Sequence, residues 1–171
     1  AMDFQASSIT RIFRVPGIGS LLIDAVGHVA QHRLVHRDLK GDNIMFRDGG
    51  MTPVIVDFGL VRDLTQGSLT ATWAMRGPGT PLFAPSEQLL NEKAMIDWRA
   101  DQFSLGVLLS FATFGFHPYS DAGDDWTVIV DRVALREQPS QRFVIAAKAA
   151  GLESLIKMVA PYPVSRFRTP Q

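Results

Sequence analysis

The chain has 171 residues, of which 46% are hydrophobic, and this suits one domain with a sizeable core. Its 17 basic and 17 acidic side chains give a formal net charge of zero, so the composition favours neither nucleic acid nor an anionic membrane as a partner. There is no cysteine, which excludes disulfides and thiolate metal sites and fits a cytoplasmic protein.

The first 19 residues show no regular pattern, and we interpret them as a separate segment that carries no signal peptide. Ala1 and Met2 have the appearance of an expression scar. In residues 20–32, apolar side chains recur at helical spacing, which predicts an amphipathic helix capped by Ser20. His28 and His32 on this helix have a spacing also found at metal sites, but no third ligand accompanies them.

Two short motifs flank a predicted hairpin. The first is HRDLKGDN at residues 36–43, and the second is DFG at residues 57–59. Residues 44–46 and 53–56 predict two strands that are joined by a turn. This hairpin would bring Asn43 and Asp57 side by side.

The residues of these motifs match the needs of phosphoryl transfer. That reaction needs a carboxylate to accept the proton of the attacking hydroxyl, a cation near the phosphate and oxygen ligands for Mg²⁺. Each residue alone also suits an ordinary polar turn. Together the two motifs resemble the catalytic loop and magnesium motif of eukaryotic-like (Hanks-type) serine/threonine protein kinases.

The resemblance implies ATP and Mg²⁺ as cofactors and a role for each motif residue. Asp38 would be the catalytic base, and Lys40 would lie against the γ-phosphate. Asn43 and Asp57 would hold Mg²⁺. Met45 matches the position beneath the adenine ring, although such a flexible side chain equally suits a core. The ATP-binding set would be Lys40, Asn43, Met45 and Asp57, and the residues that align the site would be His36, Phe58 and Gly59.

Residues 57–87 resemble the activation segment of the family. Thr70 and Thr72 are candidate phosphosites, and Arg37 would pair with such a phosphate; an unmodified polar loop is equally consistent with this composition. The substrate loop would be formed by Gly79, Thr80 and Pro81, with Thr80 bonded to Asp38 and Lys40.

Three later residues would support the site. Glu87 falls on the glutamate of the family's Ala-Pro-Glu motif and would pair with Arg166, although Tyr162 replaces an aspartate that the family has near this arginine. Asp101 opens a strongly apolar stretch and would bond to the catalytic-loop backbone. That stretch predicts a buried central helix too short to cross a bilayer, and residues 126–136 and 151–159 predict further amphipathic helices.

The resemblance covers residues 20–169 and implies a fold that is mainly α with a small β-hairpin, the C-terminal lobe of a kinase. The N-terminal lobe is expected to be absent, because residues 17–19 offer only a lone Gly-Ile-Gly and no paired strand lysine is found before His36. We therefore expect this chain to need an N-terminal lobe in cis or in trans, and to be weakly active or inactive alone.

Two other functions stay open at this point. The chain could be a lobe-only pseudokinase that binds or regulates a partner, or a small-molecule phosphotransferase with a related Asp and Asn arrangement. Lys40 and the Glu87–Arg166 pair favour a protein substrate with Ser or Thr instead. The exposed face of a lone lobe would also favour self-association.

Overall fold

The computed structural model describes residues 17–50, 52–58, 62–63 and 81–168, and it is mainly helical with a small antiparallel hairpin. The described helices are α1 (Ile18–Gln31), α2 (Ser86–Leu89), α3 (Trp98–Phe114), α4 (Trp126–Ala134), α5 (Gln141–Ala149) and α6 (Glu153–Met158). The described strands are β1 (Leu34–Val35), β2 (Ile44–Arg47), β3 (Thr52–Ile55) and β4 (Arg62–Asp63).

Helix α3 forms the centre of the core. Asp97 caps its first turn by accepting a hydrogen bond from the Arg99 amide at 2.9 Å, and Gly115 ends it with a φ of 77°. Every residue from 100 to 110 is buried, and α3 packs against α1, α6 and β1. A helix buried on every side must lie in the interior, so the predicted central helix is confirmed.

A single glycine allows α3 and α6 to approach closely. A Cβ atom on Gly106 would lie 2.8 Å from Val159 Cγ1 and 3.0 Å from Met158 Cβ. Neither distance leaves room for a methyl group. The packing of the two helices therefore depends on the absence of a side chain at this position.

The start of α1 differs from the sequence prediction. The helix begins at Ile18 and its cap is Gly17, which has a left-handed φ of 89°; Ser20 is not the cap, and its hydroxyl donates to the Gly17 carbonyl at 2.7 Å. Ile18 is 1% exposed and belongs to the main core. Burial of Ile18 starts the helix three residues earlier than a cap at Ser20 would indicate.

The predicted hairpin is confirmed. Strands β2 and β3 pair antiparallel, with Ile44 opposite Ile55 and Arg47 opposite Thr52. The turn between them includes Gly49 with a φ of 69°. A second antiparallel pair joins β1 to β4, with Val35 opposite Arg62. The sequence did not predict this pair, because two-residue strands carry no periodicity.

Two of the three C-terminal helices were predicted. Helices α4 and α6 lie inside the predicted ranges 126–136 and 151–159, whereas α5 was missed. Its signals were present, since Ser140 caps it by accepting the Phe143 amide hydrogen bond and Phe143 is fully buried. Among the described helices, none combines the length and apolarity that a bilayer crossing requires.

Substitution of Gly106 by alanine tests the close approach of α3 and α6. We expect Gly106→Ala to lower the free energy of unfolding by about 1–3 kcal/mol, because the added methyl group overpacks the contact. Gly19→Ala in α1 is the matched control, since its nearest atom, Leu109 Cδ2, lies 3.7 Å away. It should be neutral or stabilising by up to about 1 kcal/mol in urea denaturation. Equal effects of both changes would contradict the close approach.

Candidate active site

The backbone of residues 36–38 is held by α3. The Asp101 carboxylate accepts the His36 amide at 2.7 Å and the Arg37 amide at 2.8 Å, and Asp101 is 2% exposed. Burial raises the pKa of Asp101, and the two amide hydrogen bonds oppose that effect. The contact between Asp101 and the loop that the resemblance implied is therefore present.

Gln88 provides a second support that the sequence did not indicate. Its side-chain amide donates to the Arg37 carbonyl at 2.9 Å, across 51 residues of sequence. Arg37 itself has a left-handed φ of 69°, an uncommon conformation for a residue with a side chain. Both backbone groups of Arg37 are thus fixed by side chains from other elements. Only the position of Gln88 beside Glu87 could have pointed to it.

His36 connects the loop to the end of the hairpin. Its Nδ1 accepts the Asp38 amide at 3.3 Å, so Nε2 carries the hydrogen and donates to the Val56 carbonyl at 3.0 Å. The Phe58 ring packs edge-on against the imidazole, with 4.8 Å between centroids. His36 therefore ties the loop to the residues on both sides of Asp57 and acts through packing.

Three predicted residues meet in one cluster. Asp38 Oδ2 lies 3.2 Å from Lys40 Nζ and accepts a hydrogen bond from Asn43 Nδ2 at 3.2 Å. Asn43 Nδ2 also donates to the Asp38 carbonyl at 2.8 Å. Asp38 and Asn43 are 4% and 5% exposed. We call Asp38, Lys40 and Asn43 the Asp38 cluster.

Asp57 comes directly after a residue whose backbone is hydrogen-bonded to the Asp38 cluster. The Val56 amide donates to the Asn43 carbonyl at 2.9 Å, which places the next residue, Asp57, at the same end of the hairpin. Asp57 is exposed and has a φ of 61°, a region that aspartate enters more readily than most residues. Met45 on β2 is 59% exposed.

Several predicted residues fall outside the described parts of the chain. Pro81 is described as the first residue of a short helical turn, Pro81–Phe83. The predicted residues that lie outside the described ranges are Gly59, Thr70, Thr72, Gly79 and Thr80.

The predicted partner of Glu87 is observed. Arg166 binds the Glu87 carboxylate through two nitrogens, at 2.6 and 3.1 Å, and both side chains are fully buried. Three backbone carbonyls, of Arg99, Ala160 and Pro161, accept the remaining hydrogen bonds of the guanidinium. A buried arginine fork with every donor satisfied fixes the end of α2 to the C-terminal segment.

His117 fixes the turn that contains Pro81. Its Nδ1 accepts the Tyr119 amide at 3.1 Å, so Nε2 donates to the Leu82 carbonyl at 2.9 Å. Burial of the ring lowers the pKa of His117 from 6.5 to about 4, and the hydrogen bond to Leu82 opposes this only in part. The neutral ring is therefore the form that the folded protein holds.

Comparisons with known proteins identify the family of the chain. The family model described as "Protein kinase domain" matches residues 14–164. The chain therefore belongs to the protein kinase family, within its eukaryotic-like (Hanks-type) serine/threonine group.

Individual relatives support the same assignment. The chain is 35% identical to human NUAK family SNF1-like kinase 2, over 82% of this chain and 21% of that protein. It is 32% identical to serine/threonine-protein kinase Pkn1 of Myxococcus xanthus, over 90% of this chain and 22% of that protein. It is 29% identical to serine/threonine-protein kinase PknA of Nostoc sp., over 83% of this chain and 28% of that protein. The chain thus spans between a fifth and a third of the length of these relatives.

Removal of the buried arginine tests the Glu87 contact. We expect Arg166→Met to lower the free energy of unfolding by about 3–5 kcal/mol, because Glu87 would be left as an unpaired buried charge. Arg168→Met, two residues away at an exposed position, should change it by less than about 0.5 kcal/mol. The measurement is urea denaturation of both variants, and similar values for the two would contradict a supporting role for the pair.

The low pKa of His117 predicts a pH dependence of stability. Between its unfolded pKa of 6.5 and its folded pKa of about 4, only the unfolded state binds the proton, so stability falls as the pH is lowered through this window. As the pH falls from about 7.5 to about 5, protonation of His117 in the unfolded state should lower the free energy of unfolding by about 2 kcal/mol. We expect His117→Asn, which keeps a donor for Leu82, to remove that part of the slope. An unchanged slope would contradict the buried neutral ring.

Proposed function

We propose that this chain is the catalytic, C-terminal lobe of a serine/threonine protein kinase that transfers the γ-phosphate of ATP to a protein substrate. The observation that carries the proposal is the buried Asp38 cluster, in which one carboxylate lies 3.2 Å from both a lysine and an asparagine nitrogen. An aspartate held in this way by its neighbours suits a catalytic base, because a base must keep a fixed position relative to the hydroxyl group that binds there.

In the proposed reaction, Asp38 orients a serine or threonine hydroxyl of the substrate and takes its proton. The hydroxyl oxygen then forms a bond to the γ-phosphorus, and the bond to ADP breaks. Lys40 stabilises the negative charge of the transferred phosphate, and its contact with Asp38 supports this role because it keeps the lysine beside the proposed base.

Asn43 and Asp57 are the proposed ligands of Mg²⁺. The amide nitrogen of Asn43 is used by Asp38, so the amide oxygen is the ligand atom that remains on this side chain. One amide oxygen and one exposed carboxylate fit Mg²⁺, which keeps several waters and takes its other ligands from phosphates. Mg²⁺, when bound, would neutralise the charge of the phosphates. Within the described residues, no group of three His, Asp or Glu side chains forms an alternative metal site.

We further propose that an N-terminal lobe outside residues 1–171 completes the nucleotide site, in cis or in trans. Met45 and Phe58, at 59% and 42% exposure, offer apolar surface at the Asp57 end of the hairpin that such a lobe would cover. Met45 would then lie beneath the adenine ring. Left uncovered, this face would favour self-association, which light scattering at high protein concentration measures.

Two further roles complete the proposal. Arg37 would bind a phosphate on Thr70 or Thr72 of the activation segment through charge-assisted hydrogen bonds. Pro81, with Gly79 and Thr80, would receive the substrate beside its phosphoacceptor. The residues that follow Pro81 are firmly anchored, because His117 binds the Leu82 carbonyl and Arg166 binds Glu87. This anchoring supports a surface that binds peptides in preference to small molecules.

Phosphate transfer from Mg²⁺-ATP to a generic protein substrate, read by intact mass, tests the proposal. The chain joined to the sequence that its gene encodes upstream should transfer phosphate, and the isolated chain should do so weakly or not at all. Asp38→Asn should lower transfer by at least about 100-fold, because the base is lost. Asp42→Asn, an exposed aspartate of the same loop, is the matched control and should retain most activity.

Other outcomes would overturn the proposal. Transfer that survives Asp38→Asn would contradict the role of this base. No transfer by the longer form, with the fold intact, would favour a module that binds partners without chemistry. Robust transfer by the isolated chain would contradict the need for a second lobe.

A further inference from the structure

Gln88 lies where two proposed parts of the site meet. It belongs to α2, shortly after the turn Pro81–Phe83, and its side-chain nitrogen donates to the Arg37 carbonyl at 2.9 Å. A carbonyl can accept only from the nitrogen of the amide, so this bond fixes the orientation of the side chain. The segment proposed to receive the peptide is therefore joined to the candidate catalytic loop through Gln88.

The bond from Gln88 fixes the peptide group between Arg37 and Asp38. The carbonyl of this group accepts from Gln88, and its N–H, the Asp38 amide, donates to His36 Nδ1 at 3.3 Å. The C=O and N–H of a planar trans peptide group point in opposite directions, so the two bonds hold its plane from both sides. The plane leads directly to the Cα atom of Asp38, and its orientation therefore sets the direction of the Asp38 side chain.

The stability of the fold does not by itself account for a glutamine at this position. Gln88 is 7% exposed, and its Oε1 atom is buried and accepts no hydrogen bond within the described residues. A buried acceptor without a partner destabilises the folded protein. This loss at Oε1 opposes the gain at the Arg37 carbonyl. The effect of Gln88 is therefore expected in the geometry of the loop more than in the stability of the protein.

We propose that Gln88 is a positioning residue for Asp38 and couples the segment proposed to receive the peptide to the proposed base. The inference rests on the proposed function. Gln88 contacts no reacting atom itself and acts through the peptide group that precedes Asp38. A displacement of about 1 Å in an active site can lower a rate about 100-fold. Because ATP and Mg²⁺ are assigned to other side chains, the effect of Gln88 falls on kcat and not on the KM for ATP.

Steady-state kinetics of the longer form, which includes the sequence that the gene encodes upstream, test this role with Mg²⁺-ATP and a protein substrate. Gln88→Met keeps the length of the side chain but cannot donate to the Arg37 carbonyl. We expect kcat to fall about tenfold, with KM for ATP and for the protein substrate within about twofold of the parent values. The midpoint of urea denaturation should not change, because one unpaired buried acceptor is exchanged for another.

Gln102→Met is the matched control. Gln102 on α3 is also 7% exposed, and its Oε1 atom accepts the Phe167 amide at 3.0 Å, so it holds the C-terminal segment and not the loop. This substitution should lower the urea midpoint, because the Phe167 amide loses its acceptor, and kcat should stay within about twofold of the parent value. The two variants together separate positioning of the base from support of the fold.

Hydrogen exchange measures the contact without catalysis. In Gln88→Met, peptides that cover residues 36–40 should exchange at least about threefold faster, because their backbone is held less firmly. The same peptides should be unchanged in Gln102→Met. Mass spectrometry of the longer form without ATP gives both rates.

The proposal is wrong if the parent protein is active and kcat of Gln88→Met stays within about twofold of it. It is also wrong if Gln88→Met and Gln102→Met lower kcat equally, or if only KM changes. An inactive parent protein would instead contradict the proposed function, and exchange at residues 36–40 would still show whether Gln88 holds the loop. The two failures are thus distinguishable.

Discussion

The structure of the candidate site depends on one buried carboxylate. Asp101 lies in the first turn of the central helix α3 and accepts hydrogen bonds from two successive amides of the candidate catalytic loop, at 2.7 and 2.8 Å. A carboxylate in this position is costly unless its hydrogen bonds are made, so it strongly favours the one loop conformation that supplies both amides. The left-handed backbone of Arg37 is tolerated because this pair of bonds and Gln88 hold it on either side.

From Asp101 the order of the loop extends to the hairpin in two steps. The His36 ring accepts a hydrogen bond from the Asp38 amide and donates one to the Val56 carbonyl. Asn43 donates to the Asp38 carbonyl through its side chain, and its own carbonyl accepts a hydrogen bond from the Val56 amide. The candidate functional side chains therefore lie on short loops whose ends are fixed by a rigid helix and a two-stranded ladder. Such a design allows chemistry to be placed on irregular backbone without loss of position.

Much of the site could be predicted from the sequence, because its residues are close together along the chain in a recognisable order. The hairpin followed from two short strand patterns joined by a turn, the central helix from a strongly apolar stretch, and the Glu87–Arg166 contact from family resemblance. The features that were missed have weak local signals: the two-residue β1–β4 pair, helix α5, and Gln88. The start of α1 was misplaced because the burial of Ile18 outweighs the capping preference of Ser20.

The long sequence separations of these contacts have a consequence for how the protein forms. His36 meets Asp101 across 65 residues, and Glu87 meets Arg166 across 79 residues. During synthesis the candidate catalytic loop is thus made well before the carboxylate that holds it, and Glu87 is made long before its arginine. Because non-local contacts form only after a costly loop closure, these side chains remain in water until the segments that pair with them have been made. The Glu87–Arg166 pair can accordingly become buried only after the segment that carries Arg166 has been synthesised.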